Sequence, residues 1–234
     1  MASLAKLLSI AAEPRAWAPL RFGVAATMDH RAALARFRFN SVIDVGANKG
    51  QFAAFAMATW PEAKLYCFEP LPGPRAKLTA VTGGKARIFD CALGTEDGHA
   101  EMHIASRDDS SSLLPLGERQ KSLYNMTETS ALRVPVHRLD ACLPASSLAR
   151  ASLLKIDVQG FELQVLKGGA ELLGAVDVVY AELSLVELYS GQALANEVIA
   201  LLEGHGLTLA GVYNQALGQG GEAVQADFLF TRRA

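Results

Sequence analysis

Cysteine is scarce in this chain: Cys67, Cys91 and Cys142 stand far apart among 234 residues and form no C-x-x-C pair. That spacing supports neither a disulfide framework nor a zinc knuckle, and a reducing cytoplasm is the expected setting. Excess charge is missing too, since 22 Lys and Arg face 24 Asp and Glu for a net of −2. No electrostatic ground remains for nucleic acid or an anionic membrane surface as a partner. No apolar run is long enough to be a transmembrane segment. The opening "MASLAKLLSIAAEPRAW" is cut short by Glu13, Pro14 and Arg15, and reads as an amphipathic helix, with peripheral membrane contact as the alternative. Internal repeats and low-complexity tracts are absent. Nothing in the pattern decides between a monomer and a homo-oligomer.

What is present suits one sizeable domain: half of the residues are apolar, enough to bury a proper core. From residue 41 onward, β-branched or aromatic runs alternate with helical stretches, the pattern of a mostly parallel α/β sheet covered on both faces. Strands are expected at 41–45, 65–69, 86–93, 152–158, 176–183, 207–213 and 226–231. The last two are separated by "NQALGQGGEAVQ", too short for a crossover helix, so an antiparallel hairpin is expected at the sheet edge. The alternation breaks between about 95 and 150, an insertion suited to a lid on the substrate side. Residues 1–40 read as a helical extension packed on the core domain of 41–234.

The first strand runs into "VIDVGANKGQF", a glycine-bearing turn followed by a helix, the place where nucleotide-like cofactors sit in α/β sheets. A dinucleotide loop needs G-x-G-x-x-G, but Asn48 occupies the middle glycine's place between Gly46 and Gly50. Asp44, two residues before Gly46, would repel a pyrophosphate and suits a ligand carrying an ammonium or sulfonium. S-adenosylmethionine is the common cofactor of that description. Glu69 in "FEPLP" ends the second strand at the spacing of an acid that takes ribose hydroxyls, a role that NAD or S-adenosylmethionine could equally use. Its other reading is an ordinary acid before Pro70. In "LLKIDVQGFELQVLKGG" a strand delivers Asp157 to the same sheet edge, either to the cofactor's reactive end or as a helix cap. Glu182 in "VVYAELS" ends the next strand, so two carboxylates converge that can orient a hydroxyl, accept its proton or hold a metal.

These motifs, with "CALG", "SSSL" and "AELSLVELY", resemble the FkbM family of S-adenosylmethionine-dependent methyltransferases from about residue 20 to the C-terminus. The resemblance implies a Rossmann-like class I methyltransferase sheet of seven strands with an antiparallel last strand. It implies methyl transfer to an oxygen, often a hydroxyl of a sugar, glycolipid or polyketide. It places Asp44, Gly46, Asn48 and Gly50 around the methionine part, Glu69 with Pro70 at the ribose, Cys91 and Ala92 at the adenine edge, and Asp157 near the sulfonium. It also brings Ser112 near the site. Gln159 stands where many such relatives carry Glu, which removes one candidate acid.

Methyl transfer is an in-line displacement, so a base is useful rather than obligatory. His137, in the insertion, and His30, in the N-terminal extension, are the candidates, each with a structural alternative. His99, Glu101 and His103 alternate along a strand, as metal ligands or as a solvated face. The rival functions are an NAD-dependent oxidoreductase and a catalytically silent cofactor-binding domain.

Overall fold

The structure, a computed structural model, describes residues 17–232. The expected N-terminal amphipathic helix therefore lies outside the described residues apart from its last position, Trp17. Seven strands form the main sheet: β1 (Ser41–Val45), β2 (Lys64–Phe68), β3 (Ala86–Phe89), β7 (Ser152–Ile156), β8 (Val178–Ser184), β9 (Leu207–Leu217) and β10 (Ala223–Arg232). Their order is β3-β2-β1-β7-β8-β10-β9, and only β10 runs antiparallel to its neighbours, β8 and β9. The hairpin forms as expected, but β10 is not the edge. It inserts between β8 and β9, burying Phe228, Leu229 and Phe230, and leaves β9, with its exposed Leu209, Val212 and Leu217, on the outside.

The single strand expected at 86–93 is two strands. β3 stays in the main sheet, whereas β4 (Ala92–Leu93) pairs with β6 (Glu128–His137), which pairs in turn with β5 (Gly98–Ala105). This three-stranded sheet is the insertion, and Asp90 and Cys91 carry the chain from one sheet to the other. Among the described residues, no helix is long and apolar enough to cross a membrane.

Alternation along the buried strands divides the core between the two sheet faces. Ile43, Val45, Leu154, Ile156, Val179 and Phe230 serve one face. Val42, Leu153, Tyr180 and Leu229 serve the other, covered by the helix Gln51–Thr59 and by the segment holding Val24, Met28 and Leu34. That second face also carries charge. Register sets Asp44 beside Lys155, and Lys155 beside Tyr180, while Glu182 faces Asp227 on β10. A polar row therefore crosses the strand ends beneath the N-terminal segment.

Candidate active site

Gly46 leaves β1 with φ 76°, a conformation open to glycine at little cost. A Cβ there would lie 1.9 Å from the Asp157 carbonyl oxygen, so the turn after β1 packs directly on the turn after β7. Gly46 and Ala47 donate their N–H groups to Phe68 O (3.2 and 3.0 Å), tying the first turn to β2. Asn48, with φ 47°, donates its N–H to Glu69 Oε2 at 2.9 Å, while Leu71 N–H donates to Oε1 at 2.8 Å. Burial pushes the Glu69 carboxyl up to about 7, and those two backbone bonds only partly restrain it. The second turn is shaped by Glu162, whose Oε1 accepts from Val158 N and Gly160 N at 3.1 Å each.

Between these turns lies a cleft open to solvent, with about 1080 Å³ of empty space counting its mouth. Gly46, Asn48, Glu69, Pro70, Cys91, Ala92, Asp157 and His30 line it, together with Thr27, Gln51, Asp109, Ser111 and the apolar Phe52, Phe68, Leu93, Leu113 and Phe161. Of the sequence candidates, Gly50 shapes the turn from behind as the residue just before the helix Gln51–Thr59, with φ 92° and Leu78 close by. Ser112 is also behind the wall: 1 % exposed, it donates from Oγ to Gln159 O at 2.7 Å, and its neighbour Ser111 faces the cleft instead. His137, the last residue of β6, points outward where Val136 points in, and pairs with Asp97 at 3.3 Å on the surface, away from the cleft. His103 pairs with Glu128 at 3.1 Å, and among the described residues no group of three His, Cys, Asp or Glu is spaced to hold a metal.

Asp44 is fully buried and does not line the cleft. Lys155, which sequence reasoning missed, stands beside it with Nζ 3.1 Å from Asp44 Oδ1, 3.8 Å from Asp157 Oδ2 and 3.3 Å from Gly46 O. Burial alone would lower the ammonium's pKa, but the carboxylates of Asp44 and Asp157 outweigh it and hold Lys155 protonated. For Asp44, burial favours the neutral acid and Lys155 opposes it. We read the pair as ionised. Asp44 therefore acts on the cleft through Lys155 and the Gly46 carbonyl. A lysine in the otherwise apolar "LLKI" of a central strand was the available signal, since lysine is almost never buried unless paired.

A second cavity adjoins the first and shares His30, Lys155 and Asp157 with it; Asp29, Ile156, Tyr180, Glu182, Asn214, Gln215 and Asp227 complete its lining. At the junction Gln159, at φ 57°, donates through Nε2 to Asp157 Oδ1 (2.7 Å) and to Glu182 Oε2 (3.0 Å), while Tyr189 OH bonds its Oε1 at 2.6 Å. The residue that replaces an acid thus joins the two acids that remain. Burial, followed by repulsion from Asp157, Asp227 and Glu162, lifts Glu182 well above the ordinary carboxylate range. Protonation of Glu182 is thereby made easier than for an ordinary carboxyl, while its Oε2 accepts from Gln159.

Comparison with known proteins settles what this arrangement belongs to. Residues 44–209 match the family model described as the methyltransferase FkbM domain. The chain belongs to the FkbM methyltransferase family. It is 30% identical over 170 residues to the 2-O-methyltransferase NoeI of Sinorhizobium fredii, covering 69% of this chain and 70% of that protein. It is also 30% identical over 195 residues to the 31-O-demethyl-FK506 methyltransferase FkbM of Streptomyces tacrolimicus, covering 72% of each. A solved precorrin-6y C5,15-methyltransferase from Geobacter metallireducens GS-15 covers 87% of both chains at a TM-score of 0.47 and 9% identity, too distant to carry an argument. As an FkbM-family member the chain is a methyltransferase, and its cofactor is S-adenosylmethionine. The cleft's donor set fits that cofactor: a carboxylate at the end of β2 for vicinal hydroxyls, apolar rings for a flat base, and carboxylates in excess over Lys155 for a cation.

Proposed function

We propose that this methyltransferase methylates a hydroxyl oxygen on a saccharide, glycolipid or secondary-metabolite acceptor. The observation that carries the reading is the pair of joined cavities: an apolar, Glu69-bearing cleft meets a second cavity rich in carboxyl and amide groups at Asp157 and His30. Groups of that kind accept hydrogen bonds from a polyhydroxylated molecule and hold its oxygens in fixed directions. The O-methyltransferases among the relatives support the same reading.

Bound S-adenosylmethionine supplies an electrophilic methyl on a sulfonium. In our assignment Glu69, Pro70 and Asn48 hold the ribose side, the backbone near Cys91 and Ala92 holds the adenine edge, and Gly46 lets the chain approach the methionine part. Asp157 faces the reacting end, held in place by Lys155 and Gln159. Glu182 orients the acceptor through a hydrogen bond to one of its oxygens. His30, at the seam of the two cavities, takes the proton of the attacking hydroxyl, a contribution of about 10²-fold to 10⁴-fold.

The test is calorimetric titration with S-adenosylhomocysteine and with NAD, followed by labelled methyl transfer to a panel of glycans and hydroxylated metabolites. Binding of S-adenosylhomocysteine alone, with label recovered in an ether, is the expected result. Binding of NAD alone would overturn the assignment of the cleft, and label recovered only on nitrogen or carbon would overturn the acceptor chemistry.

A further inference from the structure

The neighbours of His30 settle which of its nitrogens carries hydrogen. Its Nδ1 lies 3.2 Å from Tyr180 Oη and 3.5 Å from Asp227 Oδ2, across 150 and 197 positions of sequence. Tyr180 donates its hydroxyl hydrogen to Asp227 Oδ2 at 2.8 Å, so toward His30 the phenol oxygen can only accept. Asn214 Nδ2 donates to the same carboxylate oxygen at 2.7 Å. Burial pushes Asp227 up, but the hydrogen bonds and charge of His30, with those of Asn214 and Tyr180, bring it below the ordinary carboxylate range. Both groups facing Nδ1 are therefore acceptors. Nδ1 carries the hydrogen, and in the neutral ring Nε2 keeps its lone pair.

The surroundings fix the ring as well as the tautomer. Phe52, Phe55 and Tyr180 meet the imidazole edge-on with centroids at 5.3, 6.0 and 5.4 Å. Asn214 reaches the carboxylate because the β9–β10 ladder is irregular there: Asp227 pairs with Tyr213 and Gln225 with Ala216, and Asn214 takes φ 47°. A bulge of this kind re-aims a side chain toward a site.

We propose that Asp227 is the positioning residue for His30, with Tyr180 and Asn214 holding its carboxylate, so that Nε2 is presented as the proton acceptor for methyl transfer. The proposal rests on the function assigned above. As the acceptor oxygen forms its bond to the methyl carbon, the carbon–sulfur bond breaks with its electron pair left on sulfur. The hydroxyl proton passes to Nε2, and the imidazolium, stabilised by Asp227, returns the proton to water.

The first readout needs neither cofactor nor acceptor. Nitrogen-15 shifts of the free chain, with the His30 ring assigned by its loss in His30→Gln, should show a hydrogen-bearing Nδ1 and a bare Nε2. In Asp227→Asn, whose amide can turn a donor toward Nδ1, the pattern should reverse or average. A bare Nδ1 in the unmodified chain, or an unchanged pattern in both Asp227→Asn and Tyr180→Phe, would overturn the proposal. The second readout uses a hydroxyl acceptor found by the panel: Asp227→Asn should lower kcat about 100-fold while the acceptor KM and S-adenosylhomocysteine affinity stay within two-fold to three-fold. A kcat within three-fold of the unmodified chain would overturn the positioning role even with the tautomer as expected. Failure of the parent chain to bind S-adenosylhomocysteine would instead strike the reading of the cleft, and the imidazole readout would stand apart from it.

Discussion

Substituting Lys155 by methionine keeps the shape of the side chain and removes the ammonium that faces Asp44 at 3.1 Å. The buried carboxyl then has two courses. Left ionised without its partner, it costs about 3–5 kcal/mol. Taking up a proton instead costs about 1.4 kcal/mol for each pH unit above its unfolded pKa of about 3.9, or about 4 kcal/mol at pH 7. Burial already raises Asp44 in the parent chain, so about 4 kcal/mol is a ceiling on the difference. The protonation route has a clear sign. With the folded-state pKa raised, the stability is present below the unfolded pKa and is lost as pH rises, so the deficit should shrink to about 1.5 kcal/mol at pH 5. Urea unfolding of the parent, Lys155→Met and the double variant Asp44→Asn/Lys155→Met, each at pH 5, 6, 7 and 8, measures this directly. The double variant should recover most of the loss and show no added pH dependence. A Lys155→Met protein within 1 kcal/mol of the parent at pH 7, or a deficit that persists undiminished in the double variant, would refute the ion-pair account; a deficit that does not change with pH but is recovered in the double variant would mean that Asp44 stays ionised without its partner.

Glu69→Gln should weaken S-adenosylhomocysteine binding by about 1–3 kcal/mol in calorimetry through loss of charge-assisted bonds. Because the Glu69 carboxyl sits at about 7, affinity of the parent should fall as pH drops through 7, while the Gln variant stays flat; parallel pH curves would exclude Glu69. Gly46→Ala forces a methyl group against the Asp157 carbonyl at a left-handed φ, and a loss of at least about 3 kcal/mol is expected by thermal unfolding. A stable Gly46→Ala protein would mean the two turns do not touch. His137→Ala should leave methyl-transfer rates within two-fold, and a ten-fold drop would place His137 at the reacting groups during turnover.

The main sheet was legible because its strands are short, apolar and punctuated by glycine and proline. β1 matched residue for residue, and β2 was displaced by one. The break at Asp90 and Cys91 was not legible, because "ARIFDCAL" keeps its apolar pattern through the change of sheet; only the pairing partner of Ala92 reveals it. Nor could the hairpin's local turn tell which of its strands would lie inside. Among the cleft's residues, Gly46 was readable as a turn glycine from its place after the first strand and Glu69 and Asp157 as strand-end acids, whereas Asn48 came in through the family resemblance. Lys155 and Asp227 were passed over because each is a single charge inside an apolar strand. Their meaning depends on partners that lie 111 and 197 positions away in the chain, at Asp44 and His30. His30 was named as a base candidate, but its tautomer depends on Tyr180 and Asn214, which only the fold brings near.

The contact between Gly46 and the Asp157 carbonyl also limits how this molecule can breathe. With no space for even one methyl group between the two turns, any shift of one toward the other meets backbone at once. The cleft's lining away from that floor comes from segments distant in the chain, Thr27 and His30 from the N-terminal part and Asp109, Ser111 and Leu113 from the insertion. A change at Gly46 is thus felt by both turns at once, whereas a change in those outer segments alters the lining and leaves the floor as it stands.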